Sequence, residues 1–115
     1  MSGHIVHLTT RHAWSAALKS GSYRDDSLEK NDFIHFSTQV QVVRVANVYY
    51  RGQHGLVLLL VDPARLTSQL RWEPGADLSS ENFPHLYGPL NLEAVVRVVD
   101  YEPGPDGLFG LPPLG

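Results

Sequence analysis

The chain has 115 residues, of which 43% are hydrophobic, with two Trp, five Tyr and four Phe; this argues for one folded domain over residues 1–115 and against disorder. A net charge of −3 with no run of Lys or Arg leaves no electrostatic footprint for nucleic acid or an anionic membrane, with only a small local nucleic-acid target left open. The absence of cysteine excludes disulfides, thiolate zinc sites and a Cys nucleophile.

In chain order, Ile5 to Thr9 alternates as a strand does, with Val6 and Leu8 on one face and Ile5, His7 and Thr9 on the other. From Arg11 to Ser20 the period changes: Trp14, Ala17 and Leu18 lie at helical spacing, Thr9 or Thr10 can cap the start, and Gly21 supplies a left-handed stop. Ser22 to Asp32 is polar and reads as a loop with a short helical turn. Phe33 to Ser37 repeats the first strand's pattern, with Ile34 and Phe36 on one face and His35 and Ser37 on the other.

Thr38 and Gln41 make a capping box ahead of Val42, Val45, Ala46 and Tyr49, which predicts a second helix from Gln39 to about Tyr50 despite its β-branched residues. Gly52 and Gly55 end it. Leu56 to Val61 reads as a strand buried on both faces, and its six residues fall far short of the roughly 20 that a membrane-spanning helix needs. The first residues show no basic start before an apolar stretch, so a soluble cytoplasmic protein without a secretory signal is expected.

Leu70 to Glu73 reads as a short strand, and Ala76 to Glu81 as a polar segment suited to a flap over a site. In Asn82–Leu90 a histidine and a tyrosine stand between two prolines and a glycine, where backbone freedom is small; His85 and Tyr87, two apart, share a face if the segment is extended. Leu92 to Val99 is apolar enough for a central strand after a possible helical turn. Beyond Glu102 the chain is rich in Gly and Pro, with Leu108, Phe109 and Leu111 as expected anchors.

Three of these stretches set one histidine each among apolar residues, and His7, His35 and His85 are expected to meet. Each is also compatible with a half-buried strand residue, Ser37 and Thr38 with simple helix caps, Tyr87 with a buried hydroxyl on a carbonyl, and Glu73 with a solvated surface carboxylate. His4, His12 and His54 are expected to be solvent-exposed. His7, His35 and His85 with Glu73 are an acceptable inventory for zinc, but the chain has no HxH or HExxH pairing, and no metal is expected. The other reading is an organic ligand held by neutral polar and aromatic groups. Neither GxGxxG nor a Walker loop is present.

Ile5-Val6-His7-Leu8-Thr9, Asp32-Phe33-Ile34-His35-Phe36-Ser37-Thr38, Trp72-Glu73, Phe83-Pro84-His85-Leu86-Tyr87-Gly88-Pro89-Leu90 and Asp106-Gly107-Leu108-Phe109 together resemble family 952 of the bacterial domains of unknown function, over essentially the whole chain. Where that family typically has Gly and Cys, this chain has Asp32 and Phe36. The resemblance implies an α+β, ADP-ribosyltransferase-like fold: split antiparallel or mixed β-sheets with two main helices. It further implies NAD or a related nucleotide as the small-molecule ligand and substrate of an ADP-ribosyl- or phosphotransferase-type enzyme. His7, Ser37, Thr38 and Tyr87 would then bind the cofactor, and Glu73, His35 and His85 would be catalytic. A toxin-like enzyme carries its catalytic Glu late in the chain, where Glu93 is the only strand-region candidate and stands in a structural setting. A silent ligand-binding or regulatory domain and a histidine-based metal protein are the alternatives; no protein partner is indicated.

Overall fold

The computed structural model describes residues 3–75, 81–112 and 114. Among these residues eight strands and three α-helices follow one another as β1 (Ile5–Thr10), α1 (Arg11–Ser20), β2 (Ser22–Tyr23), α2 (Asp26–Asn31), β3 (Ile34–His35), α3 (Gln39–Tyr49), β4 (Leu56–Val61), β5 (Gln69–Pro74), β6 (Asn82–Tyr87), β7 (Leu90–Asn91) and β8 (Val95–Asp100), with short 3-10 turns at Pro63–Arg65 and Leu92–Ala94. The strands form three sheets, β1-β4-β8, β3-β6-β5 and the small pair β2-β7. Every pairing is antiparallel, so the fold is α+β with no mixed sheet among the described residues.

The two larger sheets meet at one seam. Ser37 pairs with Val6 on β1 through two backbone bonds, 2.8 and 2.9 Å, while Phe36 N–H donates to Pro84 O on the β6 side at 2.9 Å. The segment after β3 therefore leaves one sheet and joins the other within two residues. This shortens the strand predicted over Phe33–Ser37 but keeps its alternation: Ile34 and Phe36 are buried and His35 is exposed.

β4 runs down the middle of its sheet, and its continuous apolar sequence serves two cores. Val57, Leu59 and Val61 pack with Ile5, Trp14, Tyr23, Ile34 and Leu86 on one side. Leu56 and Leu58 pack with Val6, Leu8, Val42, Ala46 and Phe109 on the other. Fully burying each of these aliphatic side chains contributes about 1.5–3 kcal/mol, which is why six apolar residues in a row hold this strand at the centre.

Local signals place the helices. Thr10 caps α1 by accepting from Ala13 N–H at 3.0 Å, and Gly21, at φ +94°, ends it in the left-handed conformation. Thr38 and Gln41 form the expected reciprocal capping box on α3.

Other expectations need correction. Leu18 is 57% exposed, because Trp14 and Ala17 fill the inward stripe of α1; Tyr49 likewise stands outside the α3 stripe made by Val42 and Ala46. The polar segment after Gly21 holds the expected short helical element as α2, but Ser22–Tyr23 form the strand β2 where a loop was expected. The strand after Leu92–Ala94 is β8 at the sheet edge, since β4 takes the centre. In the tail, Phe109 and Leu114 are the anchors, whereas Leu108 and Leu111 are exposed. Asn47 clamps the Phe109 backbone at both its N–H and its carbonyl, which fixes Phe109 inward. The flap expected at Ala76–Glu81 lies outside the described residues except for Glu81, which accepts from Gln41 and pairs with Arg44. Among the described residues no helix is long and apolar enough to cross a membrane.

Candidate functional site

A cavity of about 560 Å³ opens at the seam. His7, His35, Ser37 and His85 all line it, with Asp25 and Asn31 beside them and the aromatic residues Phe36, Tyr49, Tyr50 and Phe83 completing much of its wall. The three histidines thus come from β1, β3 and β6. The rings of His35 and His85, on directly paired residues, lie 5.6 Å apart at 82°.

His7 is 4% exposed, and both its nitrogens are occupied. Nδ1–H donates to His35 O at 2.6 Å, and Nε2 lies 2.9 Å from the Tyr23 hydroxyl. That hydroxyl donates to Asp25 Oδ1 at 2.9 Å and also lies 2.8 Å from Thr9 Oγ1. Asp25 accepts through Oδ2 from Ser27 N–H and Ser27 Oγ, and so caps α2 as well as closing the network. The His7 ring, whose Nε2 is 3.6 Å away, and the Ser27 hydrogen bonds hold the Asp25 carboxyl well below the usual carboxylate range against the opposing effect of burial. Burial pushes the Tyr23 phenol far upward, so it stays a donor.

His85 is equally buried, at 4%, but its surroundings differ. Nδ1–H donates to Glu73 Oε1 at 2.9 Å, and the Tyr87 hydroxyl donates to the same oxygen at 2.5 Å. Phe33 stacks on the imidazole at 3.9 Å and 16°. The hydrogen bonds from Tyr87 and then His85 hold the Glu73 carboxyl below its ordinary value, and the Glu73 bond raises Tyr87. The extended β6 backbone puts His85 and Tyr87 on one face, as expected, and Arg71 covers the Tyr87 ring at 4.7 Å.

His35 is exposed at the cavity mouth, with Nε2 3.4 Å from Asn31 Oδ1. Burial of part of its ring, then the neighbouring His85 and His7, push its pKa down, which favours the neutral form.

The cavity thus brings together His7, His35, Ser37 and His85 from the expected set. Glu73 and Tyr87 do not line it and reach it only through His85. Thr38 spends its hydroxyl on the Gln41 N–H and lies outside the cavity. Glu93 sits in the 3-10 turn near Asn91. His12 is exposed, and His54 pairs with Glu102 at 2.7 Å on the surface. Tyr23, Asp25, Asn31 and Phe33 were missed, and only the Asp25-x-Ser27 capping pattern could have flagged any of them. Among the described residues no three His, Asp or Glu side chains are grouped to hold a metal ion.

The architecture is that of an α+β domain whose histidine-lined cavity sits where two antiparallel sheets join. The chain belongs to the family "Protein of unknown function (DUF952)", whose model matches residues 8–98. It is similar to protein CC0527 from Caulobacter crescentus: the crystal structure is 34% identical with 94% of each chain covered and a TM-score of 0.83. The solution NMR structure of the same protein is 34% identical, covering 95% of this chain and 93% of that one, with a TM-score of 0.82. No curated protein matches the chain.

Proposed function

We propose that the cavity binds a nucleotide-type ligand, with NAD the leading candidate, inserted heterocycle first, and that the protein cleaves or transfers its ADP-ribosyl group. The relationship to ADP-ribosyltransferases belongs to this proposal and rests on the motif resemblance. The observation that carries the binding reading is the convergence of His7, His35, Ser37 and His85 on a cavity also lined by aromatic residues. A volume of about 560 Å³ is that of a site for a ring and its sugar, and few polar groups among aromatic surfaces is the usual composition of such sites.

The direction of insertion follows from charge. Among the described residues that line the cavity there is no Lys or Arg, and residues 76–80 contain none in sequence. A buried pyrophosphate needs such partners or a helix N-terminus, so the phosphates stay at the mouth. The same inventory disfavours a long RNA.

One observation favours a second reading, a binder without catalysis. Among the described residues, the carboxylates Asp25 and Glu73 near the site are engaged by protein donors and neither is free to stabilise a ribosyl cation directly. Calorimetric titration with NAD and nicotinamide, with chromatography for released nicotinamide, separates the readings. Saturable NAD binding that His35→Ala weakens supports the site, and nicotinamide release makes it an enzyme. Absence of binding at millimolar NAD rejects the ligand.

A further inference from the structure

We propose that Glu73 and His85 form a proton-transfer pair, in which Glu73 fixes the imidazole and His85 Nε2 is the base presented to a ligand in the cavity. The identity of the substrate rests on the NAD reading above; the pair itself rests on geometry.

An ionised carboxylate only accepts, so Glu73 Oε1 accepts the hydrogen bond from His85 Nδ1–H at 2.9 Å, and in its neutral form the ring carries its lone pair on Nε2. That nitrogen has no hydrogen-bond partner among the described residues. Because no buried side-chain polar atom among the described residues lacks a hydrogen bond, Nε2 is open to the space that His85 lines. The ring plane is also set: Phe33 lies flat against it at 3.9 Å, and Tyr87 steadies Glu73 by donating to the same oxygen at 2.5 Å. One nitrogen locked to a carboxylate and the other free in a cavity is the arrangement that makes an imidazole an effective base at neutral pH.

With NAD in the cavity, a water or acceptor hydroxyl would give its proton to His85 Nε2 as its oxygen bonds to the ribose C1′. The C1′–N bond breaks, its electron pair leaves with the nicotinamide nitrogen, and nicotinamide departs neutral. The imidazolium so formed faces the ionised Glu73 and later releases its proton to solvent. His85 touches the reacting atoms, whereas Glu73 and Phe33 act through it as positioning residues.

The test is nitrogen-15 NMR of the histidine rings in the whole protein at a pH where His85 is neutral, alongside nicotinamide release from NAD. In the wild type we expect His85 protonated at Nδ1 and bare at Nε2. Glu73→Ala should abolish that preference, whereas Glu73→Gln, whose amide oxygen still accepts, should retain the tautomer. In both variants kcat should fall on the order of 10²-fold with KM little changed. A wild-type ring protonated at Nε2, a tautomer indifferent to Glu73→Ala, or undiminished turnover in that variant overturns the proposal. If the tautomer pattern holds while NAD is neither bound nor cleaved, the pair stands and the NAD reading falls.

Discussion

His7 and His85 are buried to the same 4% and line one cavity, yet they are built for different purposes. His7 gives one nitrogen to a backbone carbonyl and the other to Tyr23, which ties β1 to the His35 backbone, β2 and the start of α2. His85 gives one nitrogen to Glu73 and keeps the other open. Burial alone does not separate a structural histidine from a chemical one; the number of ring nitrogens the fold has already used does.

The comparison can be broken most forcefully at His7. His7→Leu strips Tyr23 and the His35 carbonyl of a buried partner and takes away the ring that faces Asp25. We expect a loss of about 2–4 kcal/mol in urea denaturation. Retention of wild-type stability would mean that His7 is not the structural member of the pair.

A smaller effect is expected at Thr38. Removing the cap with Thr38→Ala should cost about 1 kcal/mol and leave ligand affinity unchanged, because its hydroxyl serves only the Gln41 N–H. Weakened binding in a stable variant would return Thr38 to the site.

The smallest effect is the response to acid at His35. Its folded pKa is depressed below the ordinary 6.5, so the unfolded chain binds the proton more readily as pH falls through that value. Stability is therefore full above about pH 6.5 and declines below it until the folded ring also protonates. Solvent at the exposed ring keeps this modest. The melting temperature of wild type should fall more steeply than that of His35→Gln between pH 7.5 and 5; parallel curves would contradict it.

Elements whose signals are local were legible in the sequence. The capping box at Thr38 and Gln41, the Thr10 and Gly21 ends of α1, the doubly buried β4 and the shared face of His85 and Tyr87 all follow from residues a few positions apart. The expected convergence of the three histidines rested on the strand readings together with the family resemblance. What could not be read depends on contacts distant in sequence. Leu18 and Leu111 look like anchors until Trp14, Ala17 and Leu114 occupy the available space. Tyr23 and Asp25 sit in a segment polar enough to pass for a loop, and their meaning appears only when Thr9 and His7 arrive from 14 and 16 residues before Tyr23. Glu73, expected to act on a ligand, is turned toward His85 by strand pairing that no local pattern predicts.

The seam has a kinetic consequence. Each large sheet is held by long antiparallel registers, six paired positions for β1 with β4 and six for β5 with β6, whereas the sheets are stitched to one another by the Val6–Ser37 bridge, the bond from His7 Nδ1–H to the His35 carbonyl and shared core packing. His7 stands on one bank of that stitch and His85 on the other. The cavity is lined from both sheets, so it exists only while the two banks are closed on each other. A ligand that spans both banks would act as a rivet, slowing the opening of the joint while leaving the interior of each sheet as it was.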